Sequence, residues 1–396
     1  MKALLPKIKF KNFDEKWNRK KLHSIAPLRG GFAFKSEKFQ NTGIPVVRIS
    51  NIKFDGTVGG EFECYSKIIP DEKFVLRGRS ILLAMSGATT GKIAMLDSEG
   101  EYYQNQRVGY FQNTGEVDYD FLSSVLQTKA FTNQLNGVLV AGAQPNISSK
   151  EIDSFEFCIP DSIDEQSAIG SLFRTLDDLL SSYKDNLTNY QALKATMLSK
   201  MFPKAGQTVP EIRLDGFEDR WEEKEFIQIV NRVTESSDSD ALPKVEFEDI
   251  ISGQGKLNKD ISSKFDNRKG ILFKPGYTLY GKLRPYLNNW LLPKFEGVAL
   301  GDFWVFDPNG NNSDFIYYLV QSSRYQKVAN DTSGTKMPRS DWKSVSTTVF
   351  AIPQTIAEQQ AIGAYFSNLD NLINSHQEKI SQLEILKKKL LQDMFI

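Results

Sequence analysis

Cysteine and histidine are nearly absent from this 396-residue chain: Cys64, Cys158, His23 and His376 are all it has. Two cysteines so far apart fit a reducing compartment and exclude a disulfide-stapled secreted fold. With two histidines at no ligand spacing, a zinc site is also excluded. No apolar run approaches the roughly 18 residues of a membrane span. The opening MKALLPKIKFKNFDEKW carries no stretch apolar enough for a signal peptide, so a cytoplasmic protein without membrane contact is expected. Net charge is lacking as well, with 49 basic residues against 49 acidic.

What is present is ordinary for a globular chain, 40% apolar and 25% charged residues. At roughly 150 residues per domain that length gives two or three domains with large cores. The neutral total hides segregation. Residues 1–38 hold 11 Lys/Arg against 3 Asp/Glu, residues 256–294 hold 9 against 2, and residues 211–249 hold 5 against 13. Binding of a polyanion follows local potential, so the basic blocks can form patches, although each alone also reads as solvated surface.

The chain is written twice. FCIPDSIDEQSAIGSLFRTLDDLLSSYKDNLTNYQALKATMLSKMF (157–202) returns as FAIPQTIAEQQAIGAYFSNLDNLINSHQEKISQLEILKKKLLQDMF (350–395), identical at 19 of 46 ungapped positions. PKIKFKNFDEKW (6–17) returns as PEIRLDGFEDRW (210–221). Weaker echoes lie between: Asn51-Ile52 with Asp249-Ile250, Gly78 with Gly276, and Phe121-Leu122…Gln127 with Phe315-Ile316…Gln321. The ends of each unit repeat well and the middles poorly, which describes two similar frames holding different contents.

Each 46-mer reads as a long helix. Ser162…Glu165 and Thr355…Glu358 have capping-box form, in which hydroxyl and carboxylate satisfy orphan amides reciprocally. Inside, one seam steps by four and three through Ile169, Phe173, Leu176, Leu180, Tyr183, Leu187, Tyr190, Lys194, Met197 and Met201. Its counterpart runs Ile362, Phe366, Leu369, Ile373, His376, Ile380, Leu383, Lys387, Leu390 and Met394. Such spacing is that of a coiled coil. A flanking stripe (Leu172, Leu179, Leu193; Tyr365, Leu372, Leu386) widens the apolar face beyond a two-helix seam, so helices of another protein are expected to dock there. The candidates for that docking are Ile169, Phe173, Leu176, Leu180, Tyr183 and Leu187 with Ile362, Phe366, Leu369, Ile373, Ile380 and Leu383; the plainer alternative packs each helix on its own lobe.

Connectivity makes paired helices antiparallel, and the echo of 6–17 at 210–221 puts the N-terminal segment near the end of the second helix. The lobes between are rich in Gly, Asn and Ser. Their short runs IPVVRI, SILLAM, GVLVA, YTLYG and DFWVF read as strands, and FLSSVLQTKAFTNQL and FIYYLVQSSRYQKVA each as one helix. The expected fold is α+β: two similar lobes set apart by two long antiparallel coiled-coil helices, with an internal pseudo-two-fold repeat. The divisions are an N-terminal segment 1–16 that completes a circular pseudo-symmetry, lobe one 17–160, a helix 161–204, a linker 205–220, lobe two 221–353 and a second helix 354–396.

Catalytic patterns fail one by one. Gly87-Ala-Thr-Thr-Gly91-Lys92 misses the phosphate loop, since Ser86 and Ile93 stand where Gly and Ser/Thr are required. Pro70-Asp71-Glu72-Lys73 has the residue types of a nuclease, but four contiguous residues cannot converge on a metal and read better as a solvated turn. No dinucleotide fingerprint follows a strand, and no histidine-based triad is suggested.

The loops offer donors and acceptors that suit base edges and phosphates. Lobe one has Ser86, Thr89, Thr90 and Lys92 on one turn, then Gln104, Asn105 and Arg107, then Gln144 and Asn146. Lobe two holds Lys282, Arg284 and Tyr286, then Lys336 and Arg339. Arg and Lys suit guanine, Gln and Asn suit adenine, and Lys, Ser and Thr also suit phosphate. Any one of these side chains is as well explained by an exposed loop hydrogen bond; the reading rests on matched positions in two frames with different chemistry.

Taken with the helix starts IPDSIDEQSAIGSLFRTLD and IPQTIAEQQAIGAYFSNLD and the loops SGATTGK, QPNIS, YGKLRPYL and SGTKMPRSDW, the chain resembles the specificity subunit of a type I restriction–modification enzyme over essentially its whole length. The resemblance implies a non-catalytic DNA-recognition subunit whose lobes are target-recognition domains, each reading half of a split double-stranded DNA site. It implies that the helices space the lobes and dock methyltransferase subunits, two by the pseudo-symmetry, and that motor–nuclease subunits join for cleavage. S-adenosylmethionine, ATP and Mg2+ would be used by those partners, none by this chain. Half-site centres about one helical turn apart would leave about 6–7 bp unread. Two other readings stay open from the residues: a protein–protein scaffold with two lobes, and a self-contained nuclease.

Overall fold

The computed structural model describes residues 6–141, 146–262, 267–331 and 337–396. They fall into two compact units, residues 1–183 with 379–396 and residues 184–378. Two long helices, Ile163–Lys200 and Ile356–Asp393, are each divided between the units rather than standing as bodies of their own. The fold is α+β, as expected.

In the first unit, one four-stranded antiparallel sheet runs in the order Leu28–Gly30, Val108–Phe111, Ser80–Ala84, Ile93–Leu96. A second is ordered Cys64–Tyr65, Ile44–Val47, Glu101–Gln104, Val75–Arg77, its two middle strands parallel. A pair, Asn18–Lys21 with Glu156–Ile159, carries the chain into and out of the lobe. The second unit repeats the first sheet strand for strand: Asn231–Arg232, Phe303–Asp307, Thr278–Gly281, Trp290–Leu291. It repeats the pair too, as Glu222–Glu225 with Val349–Ile352. In its other sheet, Lys244–Val245 lies parallel to Gly297–Ala299, which pairs with Gly270–Phe273; the added edge strand, Ser236–Ser237, joins the opposite side from its counterpart in the first unit.

Within each unit the helix segments pair antiparallel. In the first, the Phe173 and Phe395 rings lie 5.7 Å apart, and Lys387 bonds Asp177 and, at 2.6 Å, Gln127. In the second, Phe202 stacks on Phe366 at 6.0 Å, and Lys194 bonds Asp370 at 2.7 Å and Gln321 at 3.2 Å. The lysine shared by both seams is therefore an internal register pin, anchored each time to an aspartate of the opposing helix and a glutamine of the lobe. A shift along the helix would strand these half-buried charges without partners. The N-terminal segment closes onto the end of the second helix through Ile8 N–H to Asp393 O (3.0 Å), and Ile212 N–H to Lys200 O (3.0 Å) is its equivalent.

The Glu-Gln…Gly pattern at each helix start is a clamp. Gln166 accepts from the Asp118 amide (2.8 Å) and donates to Pro160 O (2.7 Å), tying the lobe helix to the exiting strand. Gln359 does the same with the Asn312 amide (2.9 Å) and Pro353 O (3.1 Å). One turn on, a Cβ at Gly170 would stand 2.5 Å from the Phe121 amide nitrogen, and one at Gly363 would stand 2.7 Å from the Asp314 Cβ. Only glycine lets the lobe helix approach so closely.

Three local expectations change. Ser162 and Thr355 do cap the Glu165 and Glu358 amides (3.3 Å each), but the glutamates do not fold back; they accept the indole N–H of Trp17 (3.1 Å) and Trp221 (3.0 Å). A buried tryptophan donor is a stronger claim on a carboxylate than an amide open to water. FLSSVLQTKAFTNQL is two helices, Tyr119–Val125 and Lys129–Ala141, and FIYYLVQSSRYQKVA is also two, Ser313–Leu319 and Ser323–Ala329. Thr128 and Ser322 break them by capping the Phe131 and Tyr325 amides through their hydroxyls. The run GVLVA continues a helix instead of forming a strand, and Val138 and Leu139 pack on the lobe core.

Candidate nucleic-acid interface

Lobe one gathers its candidate loops around one backbone residue. Met85 donates its N–H to Arg107 O and accepts from the Ile147 amide, both at 2.9 Å. That places the turn 86–92, the stretch 105–107 and Asn146 side by side. The turn is held by Gly87 (φ +82°) and Gly91 (φ +83°), with Lys92 N–H bonding Thr89 O at 3.0 Å. The hydroxyls of Thr89 and Thr90 are committed locally, donating to Ile49 O (3.2 Å) and Gly87 O (2.6 Å), and the Asn105 carboxamide accepts the Arg107 amide (3.2 Å). Ser86 buries its hydroxyl oxygen without a hydrogen-bond partner among the described residues. Arg107 is exposed, and its guanidinium makes no hydrogen bond or ion pair among the described residues.

Gln104 does not belong to this surface. It is fully buried, donating to Arg29 O (2.8 Å) and Val108 O (2.7 Å) and accepting from Arg29 Nε (3.1 Å). The Arg29 guanidinium also donates to Glu72 O (3.0 Å) and Val75 O (2.8 Å), so its partners are all neutral and burial lowers its pKa. A carboxamide with its hydrogen-bonding capacity filled inside the sheet cannot read a base edge. Asp71 departs from a solvated turn as well: it is buried, and bonds from Lys67 (2.8 Å) and the Tyr103 hydroxyl (3.2 Å) hold its carboxyl below the usual carboxylate range.

Lobe two builds its surface around Asp302. Lys282 N–H donates to Asp302 O (2.9 Å), Arg284 N–H to Pro338 O (2.7 Å) and Ser340 N–H to Lys282 O (2.8 Å), so the two loops lie together. Arg339 pairs with the Asp302 carboxylate at 2.8 Å, with the Lys282 ammonium 3.7 Å from it. Arg284 sits in the left-handed region (φ +48°), exposed, its guanidinium unpaired among the described residues, and the Tyr286 ring beside it is 57% exposed. Gln144 and Lys336 lie outside the described residues. Asp302, which aims two of the cations, is the residue that sequence reading missed; its place at the start of the strand run DFWVF was the available signal.

The seam residues do not form a docking surface in full. Ile169, Phe173 and Leu176 are buried in the core of the first unit and Ile362, Phe366 and Leu369 in that of the second, because each seam packs on its own lobe core; Leu180 and Ile373 are buried too. Tyr183, Leu187, Ile380 and Leu383 are half-buried. The flanking stripe stays open only in part: Leu172 and Tyr365 pack half-buried on the lobe cores, while Leu179 and Leu386 in the first unit are 41% and 45% exposed, and Leu372 and Leu193 in the second 41% and 36%. Among the described residues no three His, Cys, Asp or Glu side chains cluster to hold a metal, and no helix is long and apolar enough to cross a membrane.

Paired lobes of this topology, each led out by the same clamp into a long helix, define a duplicated two-lobed scaffold. Residues 14–190 and 224–385 match the model of the type I restriction modification DNA specificity domain, and the chain belongs to that family. It is of the specificity-subunit type, the non-catalytic component of such systems. A curated relative, the type I restriction enzyme MjaVIII specificity subunit of Methanocaldococcus jannaschii, is 28% identical over 42% of this chain, and the match takes in 40% of that relative's length. The crystal structure of the S subunit of a type I restriction–modification system from M. genitalium is similar in fold, with a TM-score of 0.66 over 99% of both chains at 15% identity.

Proposed function

We propose that this chain reads a bipartite double-stranded DNA sequence, lobe one taking one half and lobe two the other, for a type I restriction–modification complex. The observation that carries this reading is the convergence of loops in equivalent places on two copies of one frame. Lobe one presents Arg107, Lys92, Asn105 and Asn146; lobe two presents Arg284, Lys282, Arg339 and Tyr286. Different donor sets on equal mounts are what two half-sites of different sequence require. Because the chain is neutral overall, much of the phosphate contact falls to partners, and the isolated chain binds DNA weakly and with a steep loss between 50 and 200 mM salt.

The partners in this reading are two methyltransferase subunits, which use S-adenosylmethionine, and motor–nuclease subunits, which use ATP and Mg2+. The open leucines of the flanking stripe, Leu179 with Leu386 and Leu372 with Leu193, support the docking of methyltransferase helices on two equivalent faces. Genome-wide mapping of adenine methylation, in cells with and without this gene and with the methyltransferase present, tests the reading. Loss of one motif made of two short halves around a fixed gap is expected. A single continuous motif overturns it.

A further inference from the structure

Among the described residues, the most exposed aromatic is one that the reading above does not use. Phe54 stands at the tip of the turn Lys53–Thr57 with 74% of its surface exposed. The turn is rigid. Lys53 N–H bonds Thr57 O (2.9 Å), the Asp55 carboxylate accepts both the amide (3.0 Å) and the hydroxyl (2.6 Å) of Thr57, and Gly56 takes φ +84°. It is also fastened to the hairpin that carries the reading loop, through Met95 N–H to Gly56 O (2.9 Å). The Lys92 ammonium, on that loop, lies over the ring 4.7 Å from its centroid. A phenyl ring held out to water on a hydrogen-bonded turn, beside Lys92 of the loop 86–92, has little left to gain from its own lobe.

From this geometry we infer that Phe54 is a specificity residue of lobe one, packing its free face on the C5-methyl group of a thymine while Lys92 meets the neighbouring phosphate. The inference rests on the DNA-reading role proposed above. With one face of the ring covered by the ammonium, the ring cannot be sandwiched between two bases as an inserted wedge, which needs both faces. A single open apolar face matches the one apolar feature of the major groove, the thymine methyl. The cation on the other face is held where it stays paired with the ring and points its remaining donors outward.

The test uses the reconstituted complex of this chain with its methyltransferase, on duplexes carrying the mapped motif. In the half-site that Arg107→Ala relaxes, each thymine is replaced in turn by deoxyuridine, which removes only the methyl. One position should lose about fourfold in methylation rate, the factor for one methyl group's worth of burial. In F54A the rate on the thymine duplex should fall about tenfold, the scale of losing a partly buried phenyl contact. Thymine and deoxyuridine should then become equal at that position, with the other half-site's scan unchanged. Lys92→Met should weaken all sequences alike and shallow the salt dependence by about one ion. A thymine-to-deoxyuridine ratio that F54A leaves intact at every position overturns the inference, and so does a half-site with no thymine on either strand. Absence of any split motif overturns the DNA-reading role itself, so the two failures are told apart.

Discussion

Glu165 and Glu358 occupy the same place in the two units, yet their surroundings differ. Glu358 engages both carboxylate oxygens with Arg213, at 2.7 and 2.8 Å, and accepts the Trp221 indole besides. Among the described residues, Glu165 has Trp17 and no hydrogen-bond partner on its other oxygen, because Lys9 stands where Arg213 does and pairs with Asp14 instead. A lysine lacks the planar fork that grips a carboxylate twice, so this single difference leaves one clamp neutralised and the other not. Burial pushes the Glu165 carboxyl up, while the Glu358 carboxylate holds the Arg213 guanidinium more firmly charged. The hydrogen-bonding frame is duplicated, and the electrostatics are not.

The sharpest way to break this comparison is to remove the two charges. Glu358→Gln should destabilise the second unit by about 3 kcal/mol, since it leaves a largely buried guanidinium without its counter-charge. Glu165→Gln should leave the first unit as stable or more so at neutral pH. The sign follows from proton linkage. With its folded pKa above the ordinary 4.5, Glu165 binds a proton in the folded state before it does in the unfolded one. Stability is therefore full below about pH 4.5 and declines as pH rises through the raised value. Denaturant titrations at several pH values, with hydrogen exchange to assign each change to its unit, should show that E165Q removes this slope. If both variants lose stability equally, the two clamps are equivalent after all.

A smaller effect separates the clamp glycines. Gly170→Ala should cost about 2–3 kcal/mol and Gly363→Ala about 1–2 kcal/mol, within the usual range for overpacking. The first would meet a backbone nitrogen, which cannot move without its helix, and the second the Cβ of Asp314. Thermal unfolding of the two variants gives the order. Smaller again is the register pin. Lys194→Met should lose about 2 kcal/mol and Lys387→Met about 1 kcal/mol, because the partner of Lys194 is 22% exposed and that of Lys387 is 42% exposed. The least effect on folding, and the most on recognition, belongs to the exposed arginines. Arg107→Ala and Arg284→Ala should leave unfolding unchanged, while each relaxes methylation at one half-site by about tenfold, the lower end of a bidentate guanine contact. Relaxation of both halves by either variant would refute the division of labour between the lobes.

Much of the frame was legible before any coordinates. The long helices carry their own caps and a sustained seam, and the duplicated motif located both clamps. Periodicity could not show what each motif residue touches. The glutamates looked like half of a local capping box and proved to reach tryptophans more than a hundred residues away. Gln104 looked like a base reader because glutamine in a loop-like stretch is usually exposed; it lies at the end of a strand and satisfies Arg29. The short lobe helices were misjudged because Thr128 and Ser322 are weak signals in sequence and strong ones once their hydroxyls find an amide. The seam reads equally as an outside docking face and as core, because an apolar stripe does not say which of several surfaces will cover it.

The duplication, the two long helices, the lack of familiar catalytic patterns and the loops that differ between copies can all be read from the residues alone. These rest on local propensity and on repetition, which need no knowledge of distant contacts. Tertiary structure alone decided which loops meet, that Asp302 aims Lys282 and Arg339, that the seam lysines pin the register, and that one clamp glutamate is neutralised and the other is not. Each of these depends on groups brought within about 4 Å from remote parts of the chain, where a hydrogen bond or ion pair gains its strength. Spacing along the sequence carries no record of such distances.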